Sequence, residues 1–164
     1  YTAKEYEKGC EILRKYFSHP AITTDVIVGF PGETKQEFET TVEFLKKIHF
    51  YEMHIFKYSK REGTRAAKME NQIPEQTKTK RSNELLALAD EMSKEFRDFY
   101  IGKETEVLFE ESQMIQGKSY YVGYTKEYVK VATESAQCLD NCFVSGKIKG
   151  ALTEEIYELE MKQV

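Results

Sequence analysis

Three sets of residues in this chain have the types and spacing to do chemistry. The first is the corner Gly29-Phe30-Pro31-Gly32-Glu33, set between the run Thr24-Asp25-Val26-Ile27-Val28 and the segment Thr34-Lys35-Gln36-Glu37-Phe38. The run, with three β-branched residues in a row, reads as a strand buried on both faces. Thr34 with Glu37 three residues on is a capping box that starts a helix. Such a junction brings glycine backbone and the unpaired N–H groups of a helix start to the carboxyl end of a strand, where α/β sheets hold ligands. The same residues would also make a tight βα turn that holds nothing. The second set is a basic loop, Lys57, Lys60, Arg61 and Arg65 with Ser59 and Thr64, which follows a second expected strand and shares a rim with the corner. Arg and Lys there suit phosphate or carboxylate contacts, and they equally suit a solvated loop. In the third set, Tyr120, Tyr121, Tyr124 and Tyr128 are interleaved with Lys118, Lys126 and Lys130. Aromatics among lysines stack on bases and track the backbone of RNA; the alternative is core tyrosine with surface lysine.

Other candidates carry less. Cys138-Leu139-Asp140-Asn141-Cys142 has two thiols where zinc and iron–sulfur sites need three or four ligands, and it is read as a pair of ordinary cysteines in a turn. Cys10 belongs to the apolar face of a helix. His49 and His54 flank and occupy the second strand, with His54 expected in the core, and His19 stands in a solvated loop before Pro20. There is no Ser-His-Asp or Cys-His set and no pair of carboxylates at helical spacing, so hydrolytic and covalent catalysis find no support. No residue of this chain is assigned a catalytic or metal-binding role.

The elements that must position these residues follow from periodicity. Tyr6, Cys10, Leu13 and Phe17 predict a buried face on a helix over 3–17, capped by Thr2. A strand over 22–28, a helix from Thr34 to about Lys47 and a strand over 53–58 make right-handed βα units of a parallel sheet. Two strands cannot complete such a sheet, so its remaining strands are expected elsewhere. A long helix over about 75–100 follows, with Leu85, Leu88, Met92, Phe96 and Phe99 inward and Gly102 as its C-terminal cap. Short strands over 104–110, 119–125, 128–133, 142–149 and 156–161, separated by turn residues, predict an antiparallel barrel of OB-like size. The fold class is α/β: βα units of an incomplete parallel sheet over 1–73, a connecting helix over 74–101 and a small β-barrel over 102–164.

Composition sets the outer bounds. With 164 residues, 40% hydrophobic and 32% charged, the chain reads as a soluble globular protein of one ordinary or two small domains. No apolar run approaches the roughly 20 residues that span a bilayer, so no membrane partner is expected. Three cysteines argue against a disulfide framework and for a reducing, cytoplasmic setting. Net charge is −4, yet residues 57–81 carry eight Lys/Arg against three Glu, while 102–164 carry seven against eleven Asp/Glu. Any polyanion contact is therefore local. The absence of an initiator Met and an unfinished sheet predict a fragment, whose exposed sheet edge invites dimerisation.

Two motifs and the tail carry a family resemblance. Ile22-Thr-Thr-Asp-Val-Ile-Val-Gly-Phe-Pro-Gly-Glu-Thr34 and Phe56-Lys-Tyr-Ser-Lys-Arg-Glu-Gly-Thr64 with Ala66-Ala67 resemble the C-terminal half of the radical S-adenosylmethionine methylthiotransferases. The tail, from Gly102 through Glu106-Val-Leu-Phe-Glu110 and Gly123-Tyr-Thr-Lys-Glu-Tyr-Val-Lys-Val131, resembles their RNA-binding TRAM domain. The Ser-Lys-Arg-Glu-Gly-Thr loop is similar to that of the branch acting on threonylcarbamoyladenosine in tRNA, although Lys57 stands where the family has proline. The resemblance implies a partial radical SAM barrel and a full-length enzyme with two 4Fe–4S clusters and S-adenosylmethionine. A 5′-deoxyadenosyl radical would abstract hydrogen from C2 of an adenine at position 37, where sulfur and methyl are then installed. It further implies that Val28, Gly29, Phe30, Glu33, Phe56, Tyr58 and Ser59 lie against S-adenosylmethionine. Lys60, Arg61 and Arg65, with Lys118, Tyr120, Tyr124, Lys126, Tyr128 and Lys130 of the barrel, would meet the anticodon stem-loop of tRNA. The family's Cys-x3-Cys-x2-Cys motif is not among these residues, so the fragment alone is expected to be inactive. The ribosomal-protein branch, which modifies an aspartate, and a non-catalytic RNA-binding module are the alternatives.

Overall fold

Both short helices begin on reciprocal caps. In this computed structural model, which describes residues 1–162, the Thr2 hydroxyl accepts the Glu5 N–H at 3.2 Å and the Glu5 carboxylate accepts the Thr2 N–H at 2.7 Å, opening α1 (Ala3–Tyr16). Thr34 and Glu37 repeat the arrangement at the start of α2 (Lys35–Ile48). His49 ends α2 in the left-handed region at φ 59°, and the Arg14 guanidinium donates to its carbonyl at 2.8 Å. The chain divides into two compact units, Tyr1–Ser93 and Lys94–Val164, with the division inside the long helix α3 (Glu75–Asp98).

In the first unit β1 (Thr23–Val28) pairs in parallel with β2 (Glu52–Lys57), from Thr23 opposite Glu52 to Val28 opposite Lys57. Side chains alternate across the strands. Val26, Val28 and Met53 join Phe38, Leu45, Ile48, Phe50, Leu85, Leu88 and Met92 in one core. Thr23, Asp25, Ile27, Glu52, His54 and Phe56 are exposed on the other side. The sequence expectations of a strand covered on both faces and of a core histidine are therefore corrected: one face of this pair is open, and His54 is on it. α1 departs as well. Cys10 is buried and Tyr6 packs on the core, but Leu13 and Phe17 are exposed, so only the first half of its apolar stripe is covered.

α3 buries Leu85, Leu88, Met92 and Phe96, but it ends at Asp98, leaving Phe99 exposed and Tyr100 buried in its place. Gly102, at φ 80°, is not the helix cap: its N–H donates to the Ile148 carbonyl at 2.7 Å. The second unit is a closed five-stranded barrel of β3 (Glu104–Ile115), β4 (Lys118–Thr125), β5 (Lys130–Thr133), β6 (Cys142–Ala151) and β7 (Tyr157–Met161), in the order β3-β4-β5-β7-β6. Its pairs are antiparallel except β5 with β7, which is parallel, because β7 of the β6–β7 hairpin lies beside β5. The expected antiparallel barrel is thus a mixed one. Gln116 and Gly117, at φ 49° and 82°, make the two-residue turn that joins β3 to β4. A Cβ at Gly123 would stand 2.1 Å from the Leu108 carbonyl oxygen, and one at Gly146 would stand 2.5 Å from that of Glu160, so strand backbones close tightly there. Among the described residues, no helix is long and apolar enough to cross a membrane.

Candidate functional site

The corner after β1 is a turn held from three sides. The Glu33 N–H donates to the Phe30 carbonyl at 2.9 Å, with Pro31 and Gly32 between them and Gly32 at φ 87°, the pattern of a type II turn. One Glu33 oxygen accepts the Gly29 N–H at 3.0 Å, and the other accepts from the Arg81 guanidinium of α3 at 2.5 Å. Arg81 is buried and lies over the Phe38 ring, 5.3 Å from its centroid. The Gly32 N–H reaches the Asn71 carbonyl at 2.9 Å. The end of β2 is tied in too: the Tyr58 N–H donates to the Val28 carbonyl at 2.8 Å, and the Lys78 ammonium donates to the Tyr58 carbonyl at 3.0 Å.

This geometry corrects what Gly29 is for. A Cβ there would fall 2.2 Å from Cγ of Lys78, so the close approach its missing side chain permits is to α3. Gly32 has open space around it, and its φ accounts for the glycine.

The residues assigned by resemblance to the cofactor separate in space. Val28, 1% exposed, points into the helix-covered core, and Gly29 is buried. Phe30 is exposed, with its ring edge-on to Tyr58 at 5.3 Å between centroids. The Tyr58 hydroxyl is buried and has no hydrogen-bond partner among the described residues. Ser59 is exposed beyond it. On the open face Phe56 stands opposite Ile27, and these are 53% and 58% exposed. Sequence reasoning chose Val28 and missed Ile27. The available signal was the two-residue period of a strand, which puts Ile27 on the face of Asp25 and opposite to that of Val28.

Lys60, Arg61 and Arg65 are exposed in a loop closed by Thr64. The Thr64 hydroxyl donates to the Arg61 carbonyl at 2.8 Å and accepts the Ala67 N–H at 3.2 Å, leading into a 3₁₀ turn at Ala66–Lys68. Lys57 is drawn to α3 instead, by Glu75 at 2.7 Å and Thr79 at 3.3 Å. Lys78, at 3.0 Å, meets the other Glu75 oxygen, and hydrogen bonds from Lys57 and then Lys78 lower the Glu75 carboxyl below its usual range.

In the barrel, the tyrosines and lysines do not form one set. Tyr120 is 7% exposed and packs in a small apolar cluster with Ile115, Val122, Ala132 and Ile156. Lys118 is paired with Glu134 at 2.9 Å, and Lys126 with Glu127 at 3.7 Å. The outer face shows a different group. Register places Phe143 of β6 opposite Leu108 of β3, Leu108 opposite Tyr124 of β4, and Tyr124 opposite Lys130 of β5. The Lys130 ammonium sits 5.9 Å from the Tyr124 ring centroid, and the Tyr128 ring is 6.4 Å from that of Tyr124. Phe143, 69% exposed, extends this row and was missed because nothing in its local sequence marks the strand it pairs with.

The residues present do not fit an iron–sulfur cluster. Cys10 is buried in α1, while Cys138 and Cys142 are exposed in the second unit. No group of three or more His, Cys, Asp or Glu among the described residues could hold a metal ion.

Comparison with known proteins places the chain. No protein-family model matches it. Over 149 residues, 90% of this chain and 33% of the relative, it is 40% identical to the threonylcarbamoyladenosine tRNA methylthiotransferase MtaB of Bacillus subtilis. It is 40% identical over 130 residues, 79% of this chain and 29% of the relative, to the protein of the same name from Thermotoga maritima. With the tRNA-2-methylthio-N(6)-dimethylallyladenosine synthase of Acetivibrio thermocellus it shares 44% identity over 110 residues, 67% of this chain and 23% of the relative. The chain is a homologue of the tRNA methylthiotransferases, spanning about a third of their length or less.

Proposed function

We propose that these residues are the part of a tRNA-modifying radical S-adenosylmethionine enzyme that supplies one wall of its adenosyl site and its RNA-contacting barrel. The whole enzyme would methylthiolate C2 of N6-threonylcarbamoyladenosine at position 37 of tRNA, in the cytoplasm. Its domains would be the end of the radical SAM barrel over 1–73, a connecting helix over 74–101 and a TRAM domain over 102–164. The observation that carries the substrate is coverage. Relatives named for threonylcarbamoyladenosine match 90% and 79% of this chain, while those named for dimethylallyladenosine match 67% to 69%.

The first unit's open face supports the adenosyl wall. Ile27 and Phe56 offer apolar area, Phe30 an aromatic edge, and Tyr58 a buried hydroxyl with no hydrogen-bond partner among the described residues. An aromatic-lined surface with a few polar groups is what a nucleoside-bearing cofactor packs against. S-adenosylmethionine, when bound, supplies the methyl group and the radical chemistry; Ile27, Phe30 and Phe56 orient it and exclude water. The iron–sulfur clusters would be held by residues other than these. Exposed Lys60, Arg61 and Arg65 suit phosphate or the threonylcarbamoyl carboxylate. The row Phe143-Leu108-Tyr124-Lys130, with Tyr128, suits stacking of unpaired anticodon-loop bases.

The test is nucleoside analysis by mass spectrometry. The full-length polypeptide carrying this segment is expressed in a host whose tRNA lacks methylthio groups. Methylthio-threonylcarbamoyladenosine should appear. Methylthiolation of dimethylallyladenosine alone, of a ribosomal aspartate alone, or of nothing would overturn the proposal.

A further inference from the structure

We infer that Lys78 and Arg81 of α3 are positioning residues for the strand-end wall, and that Glu33 belongs with them and does not contact the ligand. This rests on the proposal that the β1 corner faces the adenosyl group. Both oxygens of the Glu33 carboxylate are already engaged, one by the Gly29 N–H at 3.0 Å and the other by Arg81 at 2.5 Å. Arg81 also donates to the Glu33 carbonyl at 3.2 Å, so one guanidinium fixes both the side chain and the backbone of the residue that closes the turn. The pair is secluded, with side-chain exposure of 9% for Arg81 and 16% for Glu33. A charge-assisted contact of this kind, screened from water, holds geometry far more firmly than a surface ion pair.

Lys78 works on the neighbouring strand end. Its stem lies where a Gly29 side chain would be, and its ammonium donates to the Tyr58 carbonyl at 3.0 Å. The ammonium also stands 6.0 Å from the Tyr58 ring centroid, and Glu75 at 3.0 Å keeps it in place. Lys78 and Arg81 stand three residues apart, on one face of α3. From that face the helix grips the corner after β1 and the residue after β2 at once. Phe30 is carried on the corner and Tyr58 on the strand end, so the helix sets the spacing of the two rings.

Two measurements on Arg81→Met and Lys78→Met test this. Amide exchange in this chain reads the grip directly. Arg81→Met should speed exchange of the Gly29 N–H by on the order of tenfold, with the core amides of Leu45 and Phe50 unchanged. The second measurement is binding of S-adenosylhomocysteine and of tRNA by the cluster-loaded, full-length polypeptide. Both variants should weaken S-adenosylhomocysteine by about tenfold and leave tRNA affinity alone, since a wall displaced by a fraction of an ångström loses its fit. Arg81→Lys should recover part of the loss. If Arg81→Met loses its fold, Lys78→Met, which keeps the stem against Gly29, carries the test. Unchanged Gly29 exchange in folded Arg81→Met overturns the inference at the helix grip. Faster exchange with unchanged S-adenosylhomocysteine binding overturns it at the ligand, and takes the adenosyl-wall proposal with it.

Discussion

The two units use β-structure in opposite ways. In the barrel every strand has a neighbour on each side, and the inward residues Val107, Phe109, Val131, Ile148, Tyr157 and Leu159 are sealed from water. In the parallel pair, each strand has one partner among the described residues, and the face bearing Ile27 and Phe56 is open. Closure removes sheet edges and accounts for every inward apolar side chain. Nothing within the first unit accounts for Ile27 or Phe56. Apolar side chains facing each other on an uncovered sheet mark a surface that another group is meant to cover.

The sharpest break of this contrast is Gly123→Val. Any Cβ there meets the Leu108 carbonyl oxygen at 2.1 Å, a backbone atom that cannot swing aside, so β3 and β4 would have to part. A loss of at least ~4 kcal/mol is expected. Hydrogen exchange should show it as early opening of β3–β5 amides. A matched pair of truncations comes next. Phe109→Ala, at a position 0% exposed, should cost about 3–5 kcal/mol in denaturant unfolding. Phe56→Ala removes the same ring from a position 53% exposed and should cost less than about 1 kcal/mol. Equal costs would mean that the open face is covered in solution.

These contrasts also show what the sequence could say. The cap at Thr2 and the capping box at Thr34 were legible because they are local, set within a few residues. The barrel strands were legible because one covered face leaves an alternating pattern, as in Tyr157-Glu158-Leu159-Glu160-Met161. The run Val26-Ile27-Val28 misled because it lacks that alternation. Consecutive apolar residues read as burial on both sides, whereas the fold covers only Val26 and Val28. The parallel β5–β7 pair and the row from Phe143 to Lys130 could not be read, because they depend on register between strands distant in sequence. Arg81 looked like part of a basic stretch, and only the fold brings Glu33, 48 positions earlier, to its guanidinium.

A last contrast separates the units by pH. Burial, and then the hydrogen bond its hydroxyl donates to Asp98, push the Tyr157 pKa up to about 12 from the ordinary value near 10. A group whose pKa is raised on folding lends stability that is fully present below its unfolded pKa and is lost as pH rises through the folded value. The barrel should therefore weaken between about pH 10 and pH 12. The cap carboxylates Glu5 and Glu37 of the first unit have the opposite sign. Hydrogen bonds from Thr2 and Thr34 lower their pKa values, so their contribution stands above the unfolded carboxylate range and fades as pH falls through the lowered values. Both are exposed, so salt should shrink the acid-side effect while leaving the alkaline one intact. Melting followed from pH 9 to 12 checks this: Tyr157→Phe, which cannot ionise, should flatten the alkaline decline of the barrel. Parallel declines in the parent chain and in Tyr157→Phe would assign that loss to other groups.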